Sequence, residues 1–216
     1  MSDIISGSVR KIPFLALGVI ALLALFVHSV AAAPGNLDPT FGTGGKVTTS
    51  LGSLGSGGYS VAVQTDGKIV VAGYSFGSNY DFALVRYTAS GALDAGFGTG
   101  GKVITPIGSN DTGYSVALQS DGKIVVFGKS SNGSNYGSAL VRYTASGALD
   151  VGFGTGGKVT TPIGIGSDYS PSVAVQSDGK IVVAGSSDNG SNDRSEERRV
   201  GKECRIRCRS RWSPYH

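Results

Sequence analysis

The clearest feature of the chain is a stretch of alternating apolar and polar residues that occurs three times. At residues 59–75 (YSVAVQTDGKIVVAGYS), large apolar residues alternate with small or polar ones, and an Asp-Gly pair separates this run from a second, β-branched run. Alternation with period two indicates a β-strand, and Asp-Gly between two such runs is a strong signal of a β-hairpin. Near copies occupy residues 114–130 and 172–186. The pattern therefore predicts three hairpins of one kind.

The hairpin lies inside a longer repeat. The motif L-D-x-x-F-G-x-G-G-K-V opens at Leu37, Leu93 and Leu149, a spacing of 56 residues, and a segment like FALVRYT follows each of the first two hairpins. Each unit is predicted to form four strands, in the order G-K-V segment, two hairpin arms, FALVRYT segment. The second arm is apolar on both faces, which is typical of a sheet that is covered on both sides by like sheets.

The predicted fold class is therefore all-β: antiparallel four-stranded blades stacked as a partial β-propeller of about 2.75 repeats, preceded by a hydrophobic signal helix. A β-solenoid or open β-array is the alternative, although its repeats are usually shorter. The predicted divisions are a leader, two full repeats, a truncated third repeat and a tail, at residues 1–32, 37–92, 93–148, 149–193 and 194–216. Closed propellers contain about four to eight blades, so either copies of the chain associate to close a ring or the sequence is a fragment.

The first residues have the three-part layout of a secretory signal. Arg10 and Lys11 precede an apolar stretch at residues 14–27, and small residues follow at 30–33. This layout predicts a signal peptide over residues 1–32. The alternative is an uncleaved anchor, since residues 12–33 are long enough to span a bilayer. Both predictions place the protein outside the cytoplasm, as a secreted, periplasmic or cell-surface protein.

The charge of the chain is concentrated at its C-terminal end. The formal net charge is +4, but residues 194–216 carry eight Lys or Arg against three Glu, which leaves the repeats mildly acidic. Nucleic acid is therefore not expected as a partner of the repeats. The repeats also contain no His, Cys, Glu or Trp. This composition excludes Ser-His or Cys-His catalysis and zinc sites from them, because those sites need His or Cys.

The tail at residues 194–216 does not continue the repeat. Its segments RSEERRVGKEC and CRSRWSPYH resemble the translation of a widely used sequencing adapter, so we expect this tail to be artefactual or disordered, with the native frame continuing into further repeats. The alternatives are an Arg-rich nucleic-acid-binding tail and a metal site at Cys204 and Cys208. On the adapter interpretation, the fragment explains the repeat count and no obligate oligomer is expected.

Taken together, the L-D-x-x-F-G-x-G-G-K-V, Q-x-D-G-K-I-V-V-x-G and A-L-V-R-Y-T-x-x-G-x-L-D motifs resemble the delta-60 repeat, a β-propeller-like repeat of bacterial exported proteins. The resemblance covers residues 37–193 and implies a fold but no activity. We therefore expect a non-catalytic exported protein that offers a binding or structural surface to an extracellular protein or glycan. The alternative is a fragment of a propeller enzyme, a polysaccharide-directed hydrolase or lyase, whose catalytic blade is missing.

No cofactor is expected from the residues, with calcium as a weak alternative. Asp38, Asp94 and Asp150 recur in the L-D-x-x-F-G segment and supply oxygen ligands of the kind that calcium prefers. One carboxylate per unit is a small ligand set, so a side chain that caps its own turn is the preferred interpretation. The same interpretation applies to the hairpin-turn carboxylates Asp66, Asp121 and Asp178.

Other repeated motifs also have structural interpretations. Arg86 and Arg142 lie on the predicted fourth strands, where they predict either a repeated contact to an Asp or carbonyl of a neighbouring blade or a ring that binds an anion. G-F-G-T-G-G is followed by a strand rather than a helix, so it predicts a turn and not a dinucleotide site. The sites matching the glycosylation pattern predict turns in a bacterial protein; they begin at Asn110, Asn132 and Asn189.

Overall fold

The computed structural model describes residues 34–161, 171–188 and 193–200. Within these residues the chain forms β-strands joined by turns and bends, and none of them is helical. The all-β prediction is therefore confirmed for the described part of the chain. The strands there are β1 Gly55–Val63, β2 Ile69–Phe76, β3 Tyr80–Tyr87, β4 Lys102–Thr105, β5 Asn110–Leu118, β6 Ile124–Ser131, β7 Tyr136–Tyr143, β8 Lys158–Thr161, β9 Ser172–Val175, β10 Ile181–Asp188 and β11 Asp193–Val200.

The strands form three antiparallel sheets of consecutive strands. Their orders are β1-β2-β3-β4, β5-β6-β7-β8 and β11-β10-β9, called here sheets 1, 2 and 3. The predicted hairpins are confirmed, since β1–β2, β5–β6 and β9–β10 each pair across an Asp-Gly turn. In the first turn the amide of Gly67 donates to the carbonyl of Gln64 at 2.9 Å, and Gly67 has φ +80°. That left-handed conformation suits glycine, which explains the residue after each turn Asp.

The predicted strand order within a unit is wrong. The G-K-V segment of one sequence repeat does not begin its own sheet; instead, β4 pairs with β3 and so completes the sheet of the preceding repeat. β8 completes sheet 2 in the same way. The physical reason is local: the loop between β3 and β4 returns the chain beside the strand it has just left. The first G-K-V segment, at residues 45–49, forms no extended strand and pairs with no sheet among the described residues.

The third sheet also departs from expectation. The sequence predicts a sheet without its FALVRYT strand, followed by a disordered tail. Instead, β11 (DRSEERRV) pairs with the whole length of β10, in the position that β3 and β7 occupy in the other sheets. Strand pairing uses backbone groups, so an unpaired edge accepts a segment of unrelated sequence if that segment lacks Pro. Residues 194–200 therefore belong to sheet 3, while residues 201–216, with Cys204 and Cys208, lie outside the described residues, and the prediction of an artefactual or disordered tail stays a prediction.

The sheets pack face to face through apolar side chains. Between sheets 1 and 2, Phe82 and Leu84 of β3 meet Val116 of β5 in a cluster whose buried members also include Ile124 and Val126. A second cluster joins sheets 2 and 3 through residues such as Phe127 and Val173. Each sheet therefore contributes one apolar face to each neighbour, as the two-faced pattern of the hairpin arms predicts.

The first strand of each sheet also makes a polar contact with the next sheet. The Ser60 hydroxyl accepts a hydrogen bond from the amide of Val116 at 3.1 Å, and the Ser115 hydroxyl accepts one from the amide of Val173 at the same distance. The two serines are equivalent in the repeat. Contacts of the same geometry therefore fix β5 against β1 and β9 against β5.

The leader predictions fall on residues 1–33, which lie outside the described residues. In the part of the chain that the structure describes, no helix has the length and apolar character needed to cross a membrane.

Candidate functional site

The repeated Arg and Asp of the sequence motifs meet in one contact per sheet. The Nε atom of Arg86 lies 2.8 Å from Oδ2 of Asp94, and its guanidinium lies 4.5 Å from the centre of the Phe97 ring. Nη1 of Arg86 donates to the carbonyl of Ala145, which belongs to the loop after β7 of sheet 2, at 2.6 Å. The predicted structural contact of Arg to a neighbouring carbonyl is therefore confirmed for Arg86.

Sheet 2 repeats most of this contact. Nε of Arg142 lies 2.8 Å from Oδ2 of Asp150, and the guanidinium lies 4.4 Å from the centre of the Phe153 ring. We call the Arg86–Asp94–Phe97 and Arg142–Asp150–Phe153 groups the Arg latches. Because the latch recurs in successive sheets and fills the space between an acid and an aromatic ring, it is a structural element of the repeat.

Two of the three weak calcium candidates, Asp94 and Asp150, belong to the Arg latches. Burial opposes ionisation of Asp94, but the Gly96 amide and the Arg86 guanidinium outweigh it, so the pKa of Asp94 lies below its ordinary value. Asp38 instead caps its own turn: its Oδ1 accepts the amide of Thr40 at 2.9 Å and the Thr40 hydroxyl at 2.6 Å. The hydroxyl and the amide of Thr40 lower the pKa of Asp38. No group of three or more Asp, Glu, His or Cys side chains suited to a metal occurs among the described residues.

The remaining predicted motifs form turns and sheet contacts. Asp66, Asp121 and Asp178 each accept the amide of the lysine two residues later, as the turn interpretation predicts. The G-F-G-T-G-G loop docks on the next sheet, since the Gly98 amide donates to the carbonyl of Ser146 at 2.8 Å. Asn132 caps a turn through Oδ1. Asn110 differs from the prediction because it begins β5 rather than a turn.

A different group of side chains forms a continuous exposed surface at the other end of the strands. The rings of Phe76 and Tyr80 are stacked at 4.5 Å, Tyr80 lies edge-on to Tyr74 at 5.1 Å, and Tyr74 lies 5.7 Å from Tyr59. The row continues onto sheet 2, because the ring centre of Tyr59 lies 5.1 Å from that of Tyr114.

Lys129 extends this row across sheet 2. Its Nζ atom lies 5.8 Å from the centre of the Tyr114 ring and 4.8 Å from the centre of the Tyr136 ring. Tyr59, Tyr80 and Tyr136 are 56%, 38% and 43% exposed. We call the row the aromatic surface; its members are Phe76, Tyr80, Tyr74, Tyr59, Tyr114, Lys129 and Tyr136. A contiguous exposed surface of this kind is typical of an interaction site.

The aromatic surface contains the positions at which the sheets differ most. Tyr74 and Phe76 of β2 stand where β6 has Lys129 and Ser131. Likewise, Asp81 of β3 stands where β7 has glycine. Residues that hold the sheets together recur in each sheet, as the Arg latch does. Side chains that differ between sheets and still meet in one place are therefore those that packing does not explain.

A half-buried carboxylate adjoins this surface. Asp81 follows Tyr80 on β3, and among the described residues no amide or side chain donates a hydrogen bond to it. Burial raises the pKa of Asp81, and the negative charge of Asp111 raises it further. The Asp81 carboxylate is therefore a partly desolvated acceptor with unfilled hydrogen-bonding capacity.

Asp111 is not available to a ligand in the same way. Its side chain is fully buried, and its carboxylate accepts the amide of Ile107 at 2.7 Å and the amide of Gly108 at 2.9 Å. It fixes the turn between β4 and β5. Asp81 and Asp111 consequently do not offer two free carboxylates to one substrate, which is what glycosidase chemistry requires.

Sequence reasoning missed the aromatic surface. Its differing members lie outside the repeated motifs, since Tyr74 and Lys129 are equivalent strand residues of different kinds. Comparison of the three hairpins position by position shows the change from Tyr to Lys at the end of the second arm. That difference was the signal available in the sequence.

Comparisons with known proteins agree with this architecture. A family model described as "Domain of unknown function (DUF5122) beta-propeller" matches residues 64–97, 119–153 and 176–195. Over these segments the chain is similar to this β-propeller family. Its first two matched segments run from the Gln before the hairpin turn to the Phe of the Arg latch, so the family repeat includes the latch.

The solved structures that match include one described as "Structure of a fucose lectin from Kordia zhangzhouensis in complex with methyl-fucoside". Its identity to this chain is 17% and its TM-score is 0.37, over 65% of this chain and 90% of the lectin chain. Comparison with the curated proteins finds no match.

Proposed function

We propose that this β-propeller-like protein binds carbohydrate chains outside the cytoplasm through the aromatic surface. The observation that carries the proposal is that Tyr74, Phe76 and Lys129, at positions where the sheets differ, join the repeated tyrosines in one exposed row across two sheets. A purely structural array needs no such row, because its packing contacts recur from sheet to sheet.

The chemistry of the row suits sugars. A pyranose ring presents C–H groups on its faces and hydroxyl groups around its edge, so it stacks on an exposed aromatic face and donates hydrogen bonds to neighbouring acceptors. Tyr59, Tyr80 and Tyr136 supply exposed rings. The tyrosine hydroxyl groups supply hydrogen-bond acceptors, and the open, elongated shape of the row suits a polysaccharide better than a single sugar.

The place of action rests on the sequence. The secretory layout of residues 1–32 and the resemblance to delta-60 repeats of exported proteins both support a protein that meets its ligand outside the cytoplasm. If residues 12–33 are instead an uncleaved anchor, the same surface acts at the membrane.

The proposal is tested with purified protein and a panel of soluble neutral and acidic polysaccharides, with binding measured by isothermal titration calorimetry. Tyr80→Ala and Tyr59→Ala each remove one exposed ring, and each should weaken binding by about 3- to 10-fold, the effect of an aromatic contact worth about 0.5–1.5 kcal/mol. The matched control is Val151→Ala, which changes a side chain that is 77% exposed and outside the row.

Two outcomes would contradict the proposal. One is the absence of binding to any polysaccharide of the panel by a correctly folded protein. The other is binding that Tyr80→Ala and Tyr59→Ala leave unchanged, since the ligand would then contact a different part of the protein.

A further inference from the structure

Sheet 1 leaves open an apolar face that the other sheets bury. Val61 and Val63 of β1 are 62% and 65% exposed. Val116 of β5 and Val173 of β9 are equivalent to Val61 in the repeat, and each is only 8% exposed because it packs on the preceding sheet. The open face of sheet 1 is therefore a copy of a face that this chain twice covers with another sheet of the same repeat.

The segment next to this face has the sequence of an outer strand but pairs with no sheet among the described residues. Residues 46–49 (KVTT) have the sequence of β8 and nearly that of β4. In the described structure they make no strand ladder, whereas β4 and β8 pair with β3 and β7. The backbone edge of residues 46–49 is thus free to pair with the third strand of another sheet.

The segment is nevertheless held in its repeat position. The Tyr87 hydroxyl lies 2.7 Å from Oγ1 of Thr49, as the Tyr143 hydroxyl lies 2.9 Å from Oγ1 of Thr105. Lys102 donates to the carbonyl of Ser50 in the same way as Lys158 donates to the carbonyl of Pro106. The free strand is therefore fixed against sheet 1 in the orientation that a neighbouring sheet requires.

Sheet 3 has the complementary defect. Among the described residues, its order β11-β10-β9 lacks the outer strand that β4 and β8 provide in sheets 1 and 2. Its face directed away from sheet 2 includes Val182 and Ala184, which are equivalent to the buried Val70 and Ala72 of sheet 1 and are not buried here. The last sheet thus needs both an outer strand and a cover.

We propose that a second copy of this chain covers the open face of sheet 1, in a head-to-tail arrangement. Residues 46–49 of each copy complete sheet 3 of the other, and Val61 and Val63 of each copy pack on that sheet. Two copies then supply six sheets, which lies within the four to eight blades of closed propellers. A head-to-tail contact that closes gives a ring rather than a filament.

The oligomeric state of the purified chain tests this arrangement, with mass measured by light scattering after size exclusion. The wild-type protein should have the mass of two chains. Val61→Asp combined with Val63→Asp places two charges in the contact and should give one-chain mass. These side chains are exposed in the single chain, so its fold should be retained, as circular dichroism would show. Val151→Asp is the control: it adds a charge at a side chain that is 77% exposed and should leave the mass at two chains.

A second variant tests the strand exchange separately. Val47→Pro removes the amide equivalent to that of Val103, which faces β3 in sheet 1, and should also give one-chain mass, because proline cannot donate to a strand ladder. A wild-type mass of one chain would overturn the proposal, and so would a filament or a two-chain mass that all variants retain. None of these results depends on carbohydrate binding, so the failure of this proposal is distinguishable from the failure of the proposed function.

Discussion

Replacement of the latch arginine should cost more stability in sheet 1 than in sheet 2. Arg86 and Arg142 make matching contacts with their acids, at 2.8 Å in both sheets, and with their aromatic rings, at 4.5 and 4.4 Å. Among the described residues they differ in two respects. Oδ2 of Asp94 also lies 3.5 Å from Nζ of Lys68, a partly exposed pair. Nη1 of Arg86 also donates to the carbonyl of Ala145 in the loop of the next sheet, at 2.6 Å. The exposed fractions of the two side chains follow this difference, at 8% and 20%.

The matched pair isolates the contact between sheets. Arg86→Met and Arg142→Met each remove an ion pair and a ring contact of the same geometry, so those losses cancel in the comparison. What remains is one hydrogen bond from a charged donor to a carbonyl, worth about 1.5–3 kcal/mol. We therefore expect Arg86→Met to lower the free energy of unfolding by about 2 kcal/mol more than Arg142→Met.

Urea unfolding followed by circular dichroism measures this difference. With a slope of about 2 kcal/mol per molar urea, typical of small proteins, the midpoint of Arg86→Met should lie about 1 M below that of Arg142→Met. Equal midpoints would refute the reasoning, since the contact to Ala145 would then contribute nothing to the association of the sheets. A lower midpoint for Arg142→Met would show that the latch stabilises sheet 2 through contacts other than those named.

Two further predictions concern buried polar groups. Tyr143→Phe should lower the free energy of unfolding by about 1–2 kcal/mol, because it leaves the buried Thr105 hydroxyl without its partner. Tyr87→Phe, at the equivalent but partly exposed site, should lower it less. Equal melting temperatures of the two variants would contradict this. Asp81→Asn should stabilise the protein at neutral pH. The pKa of Asp81 is raised by burial and by Asp111, so the folded protein favours the protonated carboxyl and loses stability as the pH rises through that pKa. The melting temperatures of the wild type and Asp81→Asn should therefore converge as the pH falls below about 4. A gain in melting temperature that persists below that pH would refute the charge argument.

Local sequence patterns were enough to predict the strands and hairpins. Each hairpin combines period-two alternation with an Asp-Gly turn whose glycine needs a left-handed conformation, so the signal lies within a few consecutive residues. The Arg latch was also predictable as a contact, because Arg86 and Asp94 recur together. Such features depend on residues that are close together in the sequence, and each feature occurs in more than one repeat.

The position of each sheet within the repeat was not predictable in that way. A repeat has the same sequence wherever it is divided, so the pattern does not say whether a G-K-V strand joins the hairpin after it or the one before it. Backbone pairing decides this, and β4 joins β3. The pairing of β11 with β10 escaped prediction for a related reason, since an edge strand accepts a partner through its amides and carbonyls and not through a sequence motif.

The aromatic surface was missed because it joins residues that are distant along the chain. Tyr59 and Tyr114 are equivalent residues of two sheets, and their rings come within 5.1 Å only because β1 and β5 lie side by side. A difference between repeats looks like ordinary variation until the sheets are stacked. The differing residues can be recognised as one surface only from the contacts between their side chains.

The aromatic surface and the Arg latch lie at opposite ends of the same strands. Tyr80 begins β3 and Arg86 lies near its end, so the aromatic surface and the latch are separated by six residues, roughly 20 Å of extended chain. The latch end must keep its residues, because it holds one sheet to the next through Ala145. At the Tyr80 end, the hydrogen bond to sheet 2 uses the backbone amide of Tyr80, which donates to Oδ1 of Asn110 at 3.4 Å, so the Tyr80 side chain is not needed for it. A repeat that fixes its packing at one end of the strand can therefore change its ligand at the other without losing its fold.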